Sequence, residues 1–409
     1  MKVGIVTAWF ERGAAYVSKQ IRDVLTQQNH EVFIFCRHLC PEISKGEQWN
    51  ESFVTRAKRQ ESPMPTDINK KEFLSWIDGE NIELIIFNEQ HYWQPVLWAK
   101  EHGIKVVAYV DYYKEDTVKA FGVYDQIWCN TKRHFSVFEH FDQAKYIPWG
   151  TDVQIFAPQK NKNDQANKKV TFFHSAGMSP LRKGTDIFIR AATDLAKTNP
   201  HFEMLVHSQV SLEDAIPELA EEIETLKEHG ILTVVFETVG APGLYHLVDV
   251  YVYPSRLEGI GLTIAEALSV GLPTIVTNEP PMNEFSSPYC QTIKVQKRYA
   301  RADGYYWPQS IASAEDLVEK MSTYLNDLDF LLLKDKVRNF ALQNFSWREN
   351  SRCLGELVMT CESLASDKDS EVVAHQIDFY KLPYFEKLRP IYYFAYDIHR
   401  LIKKLKGRK

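Results

Sequence analysis

Residues 253–276 constrain the fold of this chain more than any other stretch. The β-branched and aromatic run at 250–253 predicts the end of a buried strand. Gly259 and Gly261 follow it and give the backbone the freedom that a tight loop needs. Apolar residues at helical spacing then continue to about Ser269 and predict a helix. The stretch therefore has the pattern of a strand, a glycine loop and a helix in succession.

A turn and a second strand complete this unit. Gly271 and Pro273 end the helix, and residues 274–277 begin another buried run. A helix that starts directly after a strand and a glycine loop presents backbone N–H groups and its positive dipole end to a ligand. The pattern therefore predicts a site for an anion such as a pyrophosphate.

Two glutamates accompany the glycine loop. Glu258 lies in the loop and Glu266 lies two turns into the helix, with seven residues between them. A loop carboxylate can accept hydrogen bonds from a polyhydroxylated ligand, and a helical one can reach a ribose diol. The alternative for each glutamate alone is a solvated surface or helix-cap charge, which is the commoner situation. The pair is more specific when it occurs with Pro-Ser, two glycines and Gly-x-Pro, as it does here.

This combination resembles the Glu-x7-Glu signature of GT-B glycosyltransferases, in particular of the retaining glycosyltransferase family 4. The resemblance implies that Glu258 contacts the donor sugar and that Glu266 contacts the ribose of the nucleotide. It also implies that the loop between them lies against the donor diphosphate. The donor-binding residues that it implies in the loop and the first helical turn are Gly259, Ile260, Gly261, Leu262 and Thr263.

A basic pair stands at an earlier junction of a loop and a helix. Arg182 and Lys183 could neutralise a diphosphate, with Lys as a point charge and Arg as a fork; surface charges are the alternative. Lys183 and Gly184 match the Lys-Gly of family 4, which implies that Lys183 contacts the donor phosphates. The family often has an arginine at the position of Met178, and Arg182 is the candidate to replace it.

Three more residues are assigned through the same resemblance. Gly13, at the first junction of a loop and a helix, is similar to the family glycine near the donor phosphate and the acceptor; a structural turn is the alternative. Asp111 occupies the place where the family commonly has a sugar-binding histidine. It either binds a sugar hydroxyl or caps a strand end. Thr238, which opens residues 238–243, is placed in the pocket for the nucleotide base.

Short apolar runs alternate with helical segments along the chain, which indicates parallel sheets covered on both faces. Residues 41–65 are polar and irregular, and they predict a loop. The predicted strands are residues 3–7, 31–36, 81–87, 105–109, 126–129, 170–175, 202–207, 233–237, 250–253 and 274–277.

The length of 409 residues favours two domains over one core. Residues 147–158 resemble the interdomain segment of family 4, and the polar run at 159–169 has the composition of a linker. We therefore expect an α/β protein of the GT-B fold, with two Rossmann-like domains that face a deep interdomain cleft. The expected domains are an N-terminal acceptor-side domain at 1–150 and a nucleotide-sugar-binding domain at 151–375.

The C-terminal segment, residues 376–409, differs from the rest of the chain. From residue 381 onward it has nine Lys or Arg residues and two acidic residues. Its apolar residues recur at helical spacing opposite the basic ones. Such a basic amphipathic helix either packs on the N-terminal domain or lies on an anionic membrane surface.

Composition excludes several other classes of protein. The net charge of −6 argues against a nucleic-acid binder. The six cysteines are spread widely and fit reduced thiols, and no His or Cys pair completes a metal site with Cys36 and Cys40. No run approaches the roughly 20 apolar residues of a membrane span, and the brief apolar start predicts a strand rather than a signal peptide. We expect a cytoplasmic protein, with peripheral attachment to the inner face of the membrane as an option.

The resemblance implies transfer of a hexosyl group, with retention of configuration, from a UDP-sugar or GDP-sugar to a hydroxyl of a saccharide or lipid-linked acceptor. It implies no essential metal or cofactor. The catalytic residues that it indicates are Glu258, Lys183, Arg182 and Asp111. The expected role is in bacterial polysaccharide or glycolipid assembly. The alternatives are another GT-B enzyme, such as a nucleotide-sugar epimerase or a sugar phosphorylase, and a non-catalytic GT-B scaffold subunit.

Overall fold

The structure, a computed structural model, describes residues 1–10, 13–37, 49–58, 66–158, 169–364, 371, 373 and 374. These residues form two compact units. The N-terminal unit contains Met1–Cys129, Val137–Lys145 and the described residues from Arg352 onward, and the C-terminal unit contains Asn130–Ser136 and Tyr146–Ser351. The predicted segment at 376–409 lies outside the described residues. Over the described part of the chain, no helix has the length and apolar character to cross a membrane.

The N-terminal unit contains a seven-stranded sheet in the order β3-β2-β1-β4-β5-β6-β7. The pairs from β3 to β6 are parallel. Its strands are buried runs such as Leu84–Asn88, in which every residue is buried, as expected for a parallel sheet covered on both faces. The elements in this part of the chain are β1 (Lys2–Thr7), α1 (Gly13–Gln27), β2 (Glu31–Cys36), β3 (Val54–Arg56), α2 (Lys70–Glu80), β4 (Leu84–Asn88), α3 (Gln94–Glu101), β5 (Lys105–Tyr109), β6 (Gln126–Cys129), α4 (Lys132–Phe138) and β7 (Ala144–Tyr146).

The C-terminal unit contains a six-stranded parallel sheet in the order β10-β9-β8-β11-β12-β13 and a separate antiparallel hairpin, β14-β15. Its elements are β8 (Val170–Gly177), α5 (Pro180–Lys183), α6 (Thr185–Ala196), β9 (Phe202–Ser208), α7 (Leu212–Ala215), α8 (Ala220–Glu228), β10 (Leu232–Phe236), β11 (Val250–Tyr253), α9 (Leu262–Ser269), β12 (Thr274–Thr277), β13 (Cys290–Ile293), β14 (Val295–Tyr299), β15 (Gln309–Ala312), α10 (Ala314–Asn326), α11 (Lys334–Asn344) and α12 (Trp347–Asn350). The next helix, α13 (Leu354–Met359), belongs to the N-terminal unit.

Each sheet contains the strand order of a Rossmann fold. Counted within its own unit, each order runs third, second, first, fourth, fifth, sixth, and it reverses between the first and fourth strands. The reversal falls between β1 and β4 in the N-terminal unit and between β8 and β11 in the C-terminal unit. Connections leave these two strands in opposite directions, so a crevice opens beyond their carboxyl ends, where ligands bind in such folds.

The core of the C-terminal unit explains why the predicted strands form. Alternate residues of β8 and β9, such as Phe172 and Met204, are buried with the apolar face of α6 and with Leu317 and Met321 of α10. The opposite faces of β8 and β11 bury aromatic rings instead. Both faces are therefore covered, which is why these strands read as continuous apolar runs in the sequence.

The structure contains several elements that were not expected: helix α2, the edge strands β3, β7 and β13, and the hairpin β14-β15. β3 lies within residues 41–65, which were expected to form a loop; it has three half-buried residues and therefore no apolar run to indicate it. The hairpin β14-β15 was not expected either, because β14 carries Gln, Lys and Arg at its three exposed central positions. In addition, Cys36 is disulfide-bonded, which corrects the expectation that the cysteines are reduced thiols.

Candidate functional site

Two loops at the reversal point of the C-terminal sheet carry the predicted site residues. One follows β8 and leads through α5 to Gly184, and the other follows β11. The backbone N–H of Arg256 donates to the carbonyl of Arg182 at 2.9 Å, so the loops are joined directly. Gly184 has a φ of +76°, and a Cβ there would lie 2.0 Å from the carbonyl oxygen of Pro254. A glycine is therefore required where the loops meet.

Glu258 lies at the centre of a cluster of hydrogen-bond donors. Its side chain is 8% exposed. Lys183 Nζ lies 2.8 Å from Oε1 and 2.9 Å from Oε2, and the guanidinium of Arg182 donates to Oε1 at 2.9 Å. The hydroxyl of Ser255 also donates to Oε1, at 2.6 Å. The structure thus brings together Glu258, Lys183 and Arg182, three of the four predicted catalytic residues.

The charges in this cluster stabilise each other. Burial alone would raise the pKa of Glu258, but the positive charges of Lys183 and Arg182 and the hydrogen bonds from Lys183 and Ser255 lower it to about 2. Burial lowers the pKa of the Lys183 ammonium, and the negative charge of Glu258 opposes that effect. At neutral pH the carboxylate is therefore ionised and acts only as a hydrogen-bond acceptor.

The side chain of Lys183 packs against an aromatic ring of β11. Its ammonium contacts the hydroxyl of Tyr253 and lies 4.9 Å from the centroid of that ring. Tyr253 stacks on Tyr251 of the same strand, with centroids 5.5 Å apart. Both rings are fully buried in β11. The long Lys183 side chain therefore has a rigid platform that fixes the position of its charge.

A second, buried ion pair fixes the loop that carries Glu258. Both terminal nitrogens of Arg256 donate to the carboxylate of Asp186, each at 2.7 Å. Asp186 lies in the first turn of α6, directly after the Lys183-Gly184 junction. This fork-to-carboxylate geometry is the most directional of the protein ion pairs, so it holds the two loops in one register.

The glycine loop leads into the N-terminus of α9, as the sequence predicts. Gly261 has a φ of +91° and precedes the first helical residue, Leu262. The N-cap residue is this glycine, so it has no side chain that could cap the helix. Backbone N–H groups at an uncapped helix start, together with the helix dipole, form a favourable environment for an anion. Gly259 and Ile260 connect this helix start to Glu258.

Glu266 lies one turn into α9 and contacts a tyrosine. The hydroxyl of Tyr245 donates to its Oε2 at 2.7 Å. Burial raises the pKa of Glu266 to about 7, against the lowering effects of the Tyr245 hydrogen bond and the Lys183 charge. The carboxyl group is therefore poised between its neutral and ionised forms near neutral pH.

The structure adds a group of residues that the sequence did not indicate. The guanidinium of Arg133 donates to the carbonyl of Glu258 and, at 2.6 Å, to the carbonyl of Pro280. The next residue, His134, contacts the same loop, with its Nε2 atom 3.2 Å from the carbonyl oxygen of Gly259. Glu284 accepts hydrogen bonds from the N–H groups of Lys132 and Arg133, at 2.7 and 2.8 Å, and so caps α4. No local motif marks Arg133 or His134, because the carbonyl groups that they contact are about 125 to 147 positions away.

Three predicted residues lie elsewhere in the fold. Thr238 follows β10, two strands from β8 in the sheet order, and its hydroxyl accepts a hydrogen bond from Gln209 at 3.1 Å. Gly13 and Asp111 belong to the N-terminal unit, where Gly13 opens α1 after β1 and Asp111 follows β5. Within the described ranges, no group of three His, Cys, Asp or Glu side chains is arranged to hold a metal ion.

The C-terminal unit is similar to a known protein family. Residues 156–332 match the family model described as glycosyl transferases group 1. The chain is 31% identical over 150 residues to a lipopolysaccharide core biosynthesis mannosyltransferase, LpsB, of Rhizobium meliloti, which covers 33% of this chain and 40% of that protein. It is 22% identical over 247 residues to a GDP-mannose-dependent alpha-(1-6)-phosphatidylinositol monomannoside mannosyltransferase of Mycolicibacterium smegmatis, which covers 55% of this chain and 59% of that protein. The chain thus spans less than two thirds of the length of either relative.

Solved structures share the fold over most of the chain. A glycosyltransferase from Rickettsia africae superposes with a TM-score of 0.67 at 15% identity and covers 88% of this chain and 99% of its own. HepE of Anabaena, in complex with UDP and glucose, has a TM-score of 0.66 at 14% identity and covers 88% and 100%. Sucrose-phosphate synthase from Thermosynechococcus elongatus has a TM-score of 0.64 at 15% identity and covers 88% and 98%. With its two sheets of Rossmann strand order, the chain has the GT-B fold.

Proposed function

We propose, from the premise that residues 156–332 belong to the glycosyl transferases group 1 family, that this protein is a retaining glycosyltransferase. It moves a sugar from a nucleotide-sugar donor to an acceptor hydroxyl. The observation that carries the proposal is the cluster of Glu258, Lys183 and Arg182 beside the uncapped start of α9. A carboxylate, two cations and a glycine-led helix end, all at the reversal point of one sheet, match the parts of a sugar diphosphate.

In the proposed complex, the diphosphate of the donor lies between the basic pair and the helix start. Lys183 and Arg182 neutralise its charge, and the N–H groups from Gly259 to Thr263 donate to its oxygens. Glu258 accepts hydrogen bonds from hydroxyls of the donor sugar, which its ionised state favours. Glu266 accepts hydrogen bonds from the ribose, in place of the one from Tyr245. Thr238 contributes to the base pocket.

The proposed reaction is a front-face displacement with retention of configuration. The bond between the anomeric carbon and the donor phosphate oxygen breaks, and a bond from that carbon to the acceptor oxygen forms on the same face. The acceptor proton passes to the leaving phosphate oxygen. The cations and the α9 dipole stabilise the negative charge that develops on the diphosphate. In this scheme Glu258 is not a nucleophile; it accepts hydrogen bonds from hydroxyls of the donor sugar.

The relatives suggest which donors to test first. One relative is named as GDP-mannose-dependent and another as a mannosyltransferase, and a structural neighbour is a complex with UDP and glucose. GDP-mannose and UDP-glucose are therefore the leading candidates for this chain. We also propose that domain 1–150 holds a saccharide or lipid-linked acceptor in bacterial polysaccharide or glycolipid assembly, with Gly13 near the donor phosphate and the acceptor and with Asp111 on a sugar hydroxyl. In this proposal the protein is cytoplasmic, and residues 376–409 either pack on the N-terminal domain or attach the protein to the inner face of the membrane.

The first test is thermal stabilisation of the full chain by UDP, GDP, ADP, dTDP and their sugar conjugates. Ligand at about 100 times its dissociation constant should stabilise the protein by roughly 2.7 kcal/mol. We expect one nucleotide to stabilise the wild-type protein and to lose most of this effect in Glu266→Ala. Glu203→Ala, a change on β9 outside the proposed site, is the control and should behave like the wild type.

A second measurement separates the alternatives. NMR of the product should show the anomeric configuration of the donor retained in the new glycoside; inversion would refute the front-face scheme. An epimerase would convert the nucleotide sugar with no acceptor, and a phosphorylase would consume orthophosphate and release a sugar phosphate. A scaffold would show neither turnover nor nucleotide stabilisation, and it would keep its partner in Glu258→Ala.

A further inference from the structure

A second pocket lies beside the Glu258 cluster in the C-terminal unit. Its volume is about 580 Å³, within the range of small-molecule sites. Its walls come from the segment after β8 at 178–182, the segment after β9 at 210–215, and Arg256. Tyr299 and Gln309, from the two strands of the β14-β15 hairpin, complete the lining.

This pocket is connected to the proposed donor site through one side chain. Arg182 lines the pocket, and its guanidinium also donates to Glu258 at 2.9 Å. The described lining does not include Lys183, the loop at 259–263 or Glu266, which are the groups proposed to bind the nucleotide. A ligand in the pocket would therefore lie one side chain away from the donor sugar and away from the path of the nucleotide.

The charges around the pocket argue against an anionic ligand. The guanidinium of Arg256 is neutralised by Asp186 through two hydrogen bonds of 2.7 Å. The guanidinium of Arg182 is paired with Glu258. Asp214, exposed on α7, adds a negative charge to the wall. Arg256 is thus held by Asp186, and Arg182 is the cation assigned to the donor diphosphate, so neither arginine of the described lining remains to bind a phosphate or carboxylate in this pocket.

The remaining lining has the mixed character that a sugar requires. A pyranose presents apolar C–H faces and hydroxyls that both donate and accept hydrogen bonds. The pocket offers apolar surface from side chains that are otherwise unusually exposed, with Met178 at 72% and Leu181 at 50%. The aromatic ring and the hydrogen-bonding groups of the wall come from Tyr299, Ser179, Asp214 and Gln309. The hydroxyl of Tyr299 donates to Gln309 Oε1 at 3.2 Å, which fixes the two hairpin side chains relative to each other.

We propose that this pocket binds a neutral saccharide and that it holds a sugar unit of the acceptor beside the donor. The inference rests on the proposed transferase function and extends it, because it assigns part of acceptor recognition to the C-terminal unit. The hairpin β14-β15 then has a role in specificity: it supplies the wall of the acceptor subsite.

The test blocks the pocket without changing the proposed donor site. Asp214→Trp places an indole in the pocket from an exposed position on α7. Glu221→Trp, an equally exposed change on α8 that is not part of the lining, is the matched control. The probes are neutral disaccharides built from mannose, glucose, galactose or N-acetylglucosamine, observed by saturation-transfer NMR. Spectra are recorded with and without saturating GDP or UDP, and melting curves verify that both variants are folded.

We expect at least one disaccharide to bind the wild-type protein with nucleotide present. Its dissociation constant should rise at least about tenfold in Asp214→Trp and stay unchanged in Glu221→Trp, a loss of roughly 1.4 kcal/mol or more. The proposal is overturned if no disaccharide binds, or if Asp214→Trp binds it as well as the wild type does. It is also overturned if Asp214→Trp loses nucleotide binding, since the donor would then occupy the pocket. Failure of the transferase proposal is distinct, because it appears as absence of nucleotide stabilisation in the wild-type protein.

Discussion

Glu258 keeps its negative charge although its side chain is almost completely buried. Taking a carboxylate out of water is costly, and here Lys183, Arg182 and Ser255 offset that cost with four hydrogen bonds. The same partners fix the carboxylate oxygens in space. The carboxylate is therefore ionised and positioned before a donor binds, as the proposed transferase site requires.

Glu258→Gln should lower stability and rate more than breaking an ordinary surface ion pair does. The amide leaves the buried ammonium of Lys183 without its counter-charge, so we expect a loss of about 2 to 4 kcal/mol in unfolding free energy. The transfer rate should fall at least about 100-fold. Asp194→Asn on α6, which breaks the exposed pair with Lys197, should cost less than about 1 kcal/mol and leave the rate unchanged. Denaturant melts and initial rates measure both effects, and equal costs in the two variants would contradict this account.

Arg133 should act on the rate through the backbone of the Glu258 loop. Its fork spans the carbonyls of Glu258 and Pro280, and a lysine at that position has a single ammonium that cannot reproduce the geometry. We expect Arg133→Lys to lose about 1 to 3 kcal/mol of stability and to transfer sugar about tenfold more slowly. Arg190→Lys, an exposed change on α6, should do neither. A variant with wild-type stability and rate would show that this contact does not position Glu258.

The raised pKa of Glu266 predicts a pH effect on stability. Its folded-state pKa of about 7 lies above the ordinary glutamate value of 4.5, so the folded protein holds the proton more tightly than the unfolded chain does. The stabilisation is complete below pH 4.5 and is lost as the pH rises through 7. Glu266→Gln removes the titration, so its stability relative to the wild type should rise by about 2 to 3 kcal/mol between pH 5 and pH 8. Urea melts at the two pH values measure this, and a pH-independent difference would exclude it.

At the scale of elements, the site depends on the contact between the loops after β8 and β11. Gly184 allows that contact, since a Cβ would lie 2.0 Å from the carbonyl of Pro254. The positive φ adds strain for any other residue. The two loops must therefore move apart if residue 184 acquires a side chain, and Lys183 and Glu258 would move with them.

Gly184→Ala should be costly for this reason. We expect a loss of about 3 kcal/mol or more, the sum of left-handed strain and a backbone clash, with weakened nucleotide binding. Gly230→Ala is the matched control: its φ is +64°, but nothing lies within 4 Å of the added Cβ. It should cost only about 1 kcal/mol. Equal melting temperatures for the two variants would show that the loops do not depend on this contact.

The elements of the site differ in how far the sequence predicts them. α9 and its glycine loop were predicted because their signals are local: Gly261, the apolar spacing and Gly271 all lie within the stretch itself. Lys183 and Glu258 could be paired only through a family resemblance, because they are 75 positions apart in the chain. Arg133, His134 and Tyr245 carry no local pattern, since their role depends on which strand ends the fold brings together. The pocket proposed to bind a saccharide was not predicted either, because the β14-β15 hairpin forms part of its wall and no local pattern indicated that hairpin.

At the scale of the whole molecule, the sequence predicts the sheets better than their edges. Central strands such as β4 and β11 are buried throughout, and their apolar runs indicate them directly. β3 lies at the edge of its sheet and has half-buried residues, and β14 lies outside the main sheet and carries polar, exposed residues. The positions of both strands therefore depend on their pairing partners rather than on an apolar run in the sequence. The comparisons confirm the predicted GT-B fold. The predicted domain limits at 150 and 375 and the proposed residue roles stay predictions.

The pairing of Glu258 with Lys183 and Arg182 also has a kinetic consequence. Without a donor, Glu258 compensates one of these two positive charges at short range, and the whole chain carries a net charge of −6. An approaching sugar diphosphate therefore meets little long-range attraction, so its association rate should change less than about twofold between roughly 20 and 200 mM salt. Stopped-flow fluorescence with a labelled nucleotide measures that rate, and a tenfold decrease would indicate steering instead. In the proposed complex, the diphosphate would replace Glu258 as the partner of the two cations at contact, and Glu258 would accept hydrogen bonds from the sugar.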